Sequence, residues 1–208
     1  QPRRQRQMCI RDRIHILFPT PVYQNIFNPV FSLESAIDFI RTLEFKQDYN
    51  VYDKPNGKTT DASLDVLSYP ELKFIGDWID LEAYNFIKTL QIDCEFHTLV
   101  RTNSWVNLQE KGNYIHEHKH NNTQFSGVFY PKVPSNSGDI CFISSQDTWI
   151  DSNTEPKVTG FDDLNSRQKT FTPQQGMLLM FPAHLRHYVT ASKSDDERLS
   201  ISFDYNLH

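Results

Sequence analysis

Cysteine, positive charge and long apolar runs are all scarce in this sequence, and each shortage removes a class of protein. Only Cys9, Cys94 and Cys141 occur, odd in number, widely spaced and without a CxxC pair, so neither a disulfide framework nor a zinc or dithiol redox motif is legible. A reducing, cytoplasmic setting is the expectation. The formal net charge is −5 with a pI near 5.9, which leaves no global positive field to gather phosphate-rich partners and argues against nucleic acid. No run approaches the ~18 apolar residues of a membrane span, and the basic start is not followed by the apolar stretch of a secretory signal. The chain therefore reads as soluble and intracellular, with small molecules or other proteins as partners. What it does have is 208 residues with 38% hydrophobic and 13% aromatic content, enough for one domain with its own core.

Residues 1–13 (QPRRQRQMCIRDR) differ from the rest. Five Arg against one Asp contribute +4, so the formal −5 of the whole becomes −9 for residues 14–208. The segment has no periodicity, and its MCIRDR string resembles translated sequencing adapter. It is set aside as non-native, the alternative being a disordered basic arm, and residues 14–208 are expected to form a single domain.

Ile14–Phe27 mixes β-branched and aromatic residues around two prolines, as an edge strand does. Ser32–Phe45 places Leu33, Ala36, Ile37, Ile40 and Leu43 at helical spacing behind a Ser32 cap, with Glu34 and Asp38 early in the helix. Lys46–Ser63 is polar and reads as a connecting loop. From Pro70 to Ile92, Leu72, Ile75, Trp78, Ile79, Leu81, Tyr84, Ile87 and Leu90 predict a long helix packed on a sheet.

From Phe96 onward the pattern changes to short β-rich runs: His97–Gln109, Tyr114–His120, Gly127–Val133, Asp139–Ser144, Lys169–Thr172, Met177–Phe181, Arg186–Thr190 and Arg198–Asn206. About eight such strands fit a jelly roll. The predicted class is α+β, a double-stranded β-helix of cupin-like form with two N-terminal helices packed on its major sheet. Asp147–Gln168 reads as a surface insertion near one barrel mouth.

Tyr114–His120 (YIHEHKH) carries the chemistry. Side chains alternate along a strand, so His116, His118 and His120 share one face. Residues two apart sit roughly 6.6 Å apart, and two such imidazoles can converge on one ion through bonds of ~2.1 Å. One metal can take His116/His118 or His118/His120, and His118 belongs to both pairs. A histidine-rich exposed edge strand has the same pattern. Phe181–Val189 (FPAHLRHYV) offers His184 and His187 as a third ligand, His187 being better placed at the start of a strand. In the last strand Arg198, Ser200 and Ser202 share one face, and Leu199, Ile201 and Phe203 the other. An arginine facing a barrel interior needs an anion, and a carboxylate bound by both prongs satisfies it. The alternative turns Arg198 outward to Asp195, Asp196 or Glu197.

Phe18–Tyr23, Asn103–Asn107 (NSWVN), the HKH of His118–His120, the SGVFY of Ser126–Tyr130, Gly176–His187 and Arg198–Phe203 together resemble the 2-oxoglutarate-Fe(II) oxygenase family of marine bacteria and their phages. The resemblance covers nearly everything after residue 14. It implies an Fe(II)-dependent dioxygenase that consumes 2-oxoglutarate and O₂, releases succinate and CO₂, and hydroxylates a small-molecule or protein substrate, with ascorbate as an accessory reductant. A phage-encoded copy would work in the cytoplasm of the bacterial host. His118 matches the first metal ligand, His187 the distal histidine, and Arg198 with Ser200 the pair that holds the far carboxylate of 2-oxoglutarate; Tyr130 and Asn103 are placed to line the cosubstrate cavity. His120 departs from the wider pattern, standing where a carboxylate is usual, so the third ligand is His120 or another group such as Asp139. A register using His116 is the further alternative. Two rival functions remain: a non-catalytic metal- or ligand-binding jelly roll, and a three-histidine dioxygenase that uses no 2-oxoglutarate.

Overall fold

In a computed structural model of the chain, residues 16, 18–28, 33–49, 55–144, 159–160, 162 and 165–208 are described. Two antiparallel sheets dominate. The major sheet has the order β1-β9-β6-β11-β4-β3-β2, formed by β1 (Tyr23–Ile26), β2 (Lys46–Tyr49), β3 (Pro55–Thr59), β4 (Leu99–Gln109), β6 (Phe125–Lys132), β9 (Met177–Pro182) and β11 (Arg198–Leu207). The minor sheet has the order β5-β10-β7-β8, from β5 (Ile115–His118), β7 (Ile140–Ile143), β8 (Gln168–Phe171) and β10 (His187–Val189). Each of the eight β-rich runs read from Phe96 onward overlaps one strand.

The two faces of the major sheet are built from the alternation legible in the last strand. Leu199, Ile201 and Phe203 join a core with Val106, Phe129, Leu178 and Met180, packed under the helices α1 (Glu34–Ile40) and α2 (Lys73–Thr89). The opposite face closes on the minor sheet through Val128, Tyr130, Leu179, Phe142 and Phe181. Helix α2 buries Ile75, Ile79, Ala83, Phe86 and Ile87. Two members of its predicted stripe, Leu81 and Tyr84, are exposed instead, because the stripe read from spacing is wider than the face that meets the sheet.

Helix α1 is shorter than predicted. After Ile40 the amides of Thr42 and Leu43 bond to the carbonyls of Phe39 and Ile40, a tighter winding that ends the helix. The proposed cap, Ser32, lies outside the described residues, as do residues 1–13 and most of Asp147–Gln168.

Lys46–Ser63 is not only a loop. Strands β2 and β3 pair with each other, and Lys58 and Thr59 pair with Leu108 and Asn107 of β4. This edge hairpin carries few of the apolar residues by which strands are recognised. Its Gly57 has φ +119° and lies against the β4 backbone, where a Cβ would stand 2.6 Å from the Leu108 carbonyl oxygen.

Among the described residues no helix is long and apolar enough to cross a membrane.

Candidate metal centre

Strands β5 and β10 bring the histidines together. His118 and His187 are register partners, and their ring centroids lie 4.3 Å apart. His120, just past the end of β5, is anchored by its amide to the Ala183 carbonyl. Its ring stands 5.5 Å from that of His118 and 5.4 Å from that of His187. The three side chains offer nitrogen atoms that all lie within 4.8 Å of one another, a group able to hold a metal ion.

The far side of each ring is tied down. His118 Nδ1 is 2.9 Å from the His116 carbonyl oxygen, and His187 Nδ1 is 2.9 Å from that of Leu185. His120 Nδ1 is 2.9 Å from Asp204 Oδ1. Each acceptor requires a proton on Nδ1, which makes Nε2 the lone-pair nitrogen of a neutral ring. Burial, reinforced by the neighbouring His118 and His120, pushes the His187 imidazole down to about 3, so this ring is neutral at ordinary pH. Three imidazole nitrogens are a donor set that suits iron among the transition metals.

The centre opens into a cavity of about 290 Å³ between the two sheets, lined among others by Trp105, Asn107, His116, Tyr130, Arg198, Ser200 and Ser202. Arg198, Ser200 and Ser202 therefore face inward, as their alternation predicts. The acidic residues before Arg198 are engaged elsewhere: Asp195 with Lys111, Asp196 with Lys132, and Glu197 with Arg41 and Lys132. Arg198 is 1% exposed. One of its prongs donates to the Gly138 carbonyl at 3.0 Å, and its Nε has no hydrogen-bond partner among the described residues. Burial pulls its pKa down, opposed by Tyr130 and Asp139. The guanidinium carbon sits 5.8 Å from the Tyr130 ring centroid. Burial also raises the Tyr130 phenol to about 12, so its hydroxyl stays protonated and can donate.

Four residues named from sequence stand apart. Asn103 does not line the cavity; it lies at the outer end of the Asn103-Trp105-Asn107 row, where its amide donates to the Ala62 carbonyl, and Asn107, further in, lines the cavity instead. Asp139 lines a separate hollow with Ser137 and Lys193 and is not in the nitrogen cluster, because its position just before β7 puts it beyond the far end of that strand. His116 lines the cavity, but its ring is 6.3 Å from that of His118 and outside the cluster. His184 is exposed. Sequence reasoning missed Asp204 and Ser126, which stand behind His120. The signal was there, because Asp204 continues the inward row Arg198, Ser200, Ser202 by one more step.

A two-sheet jelly roll holding a histidine cluster and a buried arginine in one cavity defines a metal-dependent oxygenase class. Residues 103–204, which span the strands of the site, match the family described as "Putative 2OG-Fe(II) oxygenase". The match and the fold together point to an oxygenase that depends on iron(II) and 2-oxoglutarate. No curated protein matches the sequence. Solved structures do. A prolyl-4-hydroxylase from Pseudomonas putida is 14% identical with a TM-score of 0.58, over 90% of this chain and 94% of that one. HygX from Streptomyces hygroscopicus, solved with nickel and 2-oxoglutarate bound, is 13% identical with a TM-score of 0.57, over 90% and 83%. An oxidoreductase of the 2OG-Fe(II) oxygenase family from Burkholderia pseudomallei is 15% identical with a TM-score of 0.54, over 84% and 77%. These likenesses establish the fold.

Proposed function

We propose that His118, His120 and His187 are the iron ligands, that Arg198 and Ser200 receive the far carboxylate of 2-oxoglutarate, and that the enzyme hydroxylates a small molecule or protein in the cytoplasm. The observation that carries the cosubstrate assignment is Arg198, 1% exposed with its Nε unsatisfied among the described residues, in the cavity onto which the three imidazoles open. A buried cation without a counter-charge is strongly unfavourable, and a carboxylate gripped by two parallel N–H donors removes that penalty. A carboxylate is the anion such an arginine is shaped to receive, and the far end of 2-oxoglutarate supplies one.

Bound in this cavity, Fe(II), 2-oxoglutarate and O₂ supply an oxidative decarboxylation that yields succinate and CO₂, with the second oxygen atom inserted into a substrate C–H bond. The chain's own residues do the rest. His118 and His187 hold their Nε2 atoms inward because backbone carbonyls fix the opposite nitrogens. Arg198 fixes one end of the cosubstrate, while the protonated Tyr130 hydroxyl and Ser200 offer it further donors. Phe142 and Phe181, against the His187 ring at 5.7 and 4.8 Å between centroids, exclude water from one side of the centre.

The reading is tested by succinate release from 2-oxoglutarate in the presence of Fe(II) and ascorbate. Turnover is expected for the wild type and should be lost in His187→Ala and Arg198→Ala. Unchanged turnover in both variants would defeat the assignment.

A further inference from the structure

Three imidazoles bound as neutral ligands leave the charge of a divalent ion undiminished, and a carboxylate stands one step behind one of them. We propose that Asp204 is the anionic partner of this centre, a positioning residue that acts through His120; the inference rests on the reading of the three histidines as ligands. Asp204 is 8% exposed. It sits on central strand β11, paired with Asn103 of β4 on one side and Ser126 of β6 on the other. Its Oδ1 accepts from His120 Nδ1 at 2.9 Å and from Ser126 Oγ at 2.6 Å.

The arrangement is asymmetric. The Nδ1 atoms of His118 and His187 rest on neutral backbone carbonyls, and that of His120 on a carboxylate. A carboxylate behind a ligating imidazole fixes its tautomer and raises its basicity, and losing such a partner weakens metal binding 10–100-fold. His120 occupies the position where this class of site usually has a carboxylate ligand. Asp204 brings negative charge back to the same corner of the centre through the ring, while Ser126 holds the carboxylate in line and the Trp105 ring, 5.9 Å away and tilted by 32°, flanks the imidazole. The row of inward residues on β11 thus carries opposite charges at its two ends, Arg198 toward the cosubstrate and Asp204 toward the metal.

The probe is Co(II), titrated into the full-length protein without 2-oxoglutarate and followed by its visible spectrum and by proton NMR. Wild type should bind one Co(II) and show three exchangeable, strongly shifted imidazole N–H signals, one for each Nδ1–H. Asp204→Asn should bind Co(II) 10–100-fold more weakly and move or lose one of the three signals while the other two stay. Ser126→Ala leaves the carboxylate in place but loosens it, and should shift the same signal with a smaller loss of affinity. If Asp204→Asn does not fold, Ser126→Ala carries the test alone. Fewer than three signals in the wild type would overturn the three-histidine reading itself. Three signals, none of which responds to either substitution, would overturn the role of Asp204 and leave the ligand assignment standing.

Discussion

His118 and His187 face one another as register partners across β5 and β10, with ring centroids 4.3 Å apart. They come from distant parts of the sequence, so their approach depends on the minor sheet and not on local spacing. Removing either imidazole should therefore abolish iron binding with little change in fold. Calorimetric titration of Fe(II) under anaerobic conditions should show affinity falling by more than about 100-fold in His118→Ala and His187→Ala, beyond the range seen when only a supporting partner is lost. His184→Ala, at an exposed position, should bind iron as the wild type does.

Arg198 is expected to trade stability for function. Its guanidinium is buried without an ion-pair partner among the described residues, and apolar replacement of buried charge is often stabilising by about 1–4 kcal/mol. Thermal unfolding of metal-free Arg198→Met should thus occur at or above the wild-type temperature. The rise in melting temperature that 2-oxoglutarate gives the Fe(II)-loaded wild type should vanish in the variant. A destabilised variant that is still protected by 2-oxoglutarate would contradict both parts.

Gly127, in the SGVFY run, is predicted to tolerate no side chain. A Cβ there would lie 2.4 Å from the Phe203 ring and 2.7 Å from the Leu179 carbonyl oxygen. Gly127→Ala should destabilise the protein by about 1–3 kcal/mol through overpacking, read as a lower urea midpoint at unchanged slope.

Much of this was written in the alternation of single strands. Arg198, Ser200 and Ser202 inward against Leu199, Ile201 and Phe203 outward is a local pattern, and the cavity and the core follow it. The alternation of YIHEHKH likewise put His118 and a histidine neighbour on one face. Other features were hidden because they are relations between strands. Whether His116 or His120 joins His118 depends on where β5 ends, and the Ala183 carbonyl that anchors His120 lies far along the chain. The hairpin of β2 and β3 was read as a loop because an edge strand with few apolar residues lacks the signal that marks a buried one. Asn103 and Asn107 share a pleat face, and only the depth of the cavity distinguishes them.

Acid should expose the role of Asp65. Burial pushes its carboxyl up, but hydrogen bonds from Ser104, Ser68 and Arg101 outweigh this and leave it below the ordinary value of 3.8. A carboxyl held low in the folded state stabilises the protein above its unfolded pKa, and that contribution disappears as the pH falls through the folded value. Asp65→Asn should therefore lower stability near neutrality by about 2 kcal/mol and make the loss of stability below pH ~4 shallower than in the wild type. Chemical unfolding repeated between pH 3 and pH 7 reads both effects.

The most direct test of the whole account is to titrate 2-oxoglutarate into the anaerobic, Fe(II)-loaded protein and record the visible spectrum. A charge-transfer absorbance should grow in with one equivalent of cosubstrate in the wild type. It should be absent from His187→Ala and require far more 2-oxoglutarate in Arg198→Met. A wild-type protein that binds Fe(II) yet develops no such band, or an Arg198→Met variant that titrates like the wild type, would contradict the account.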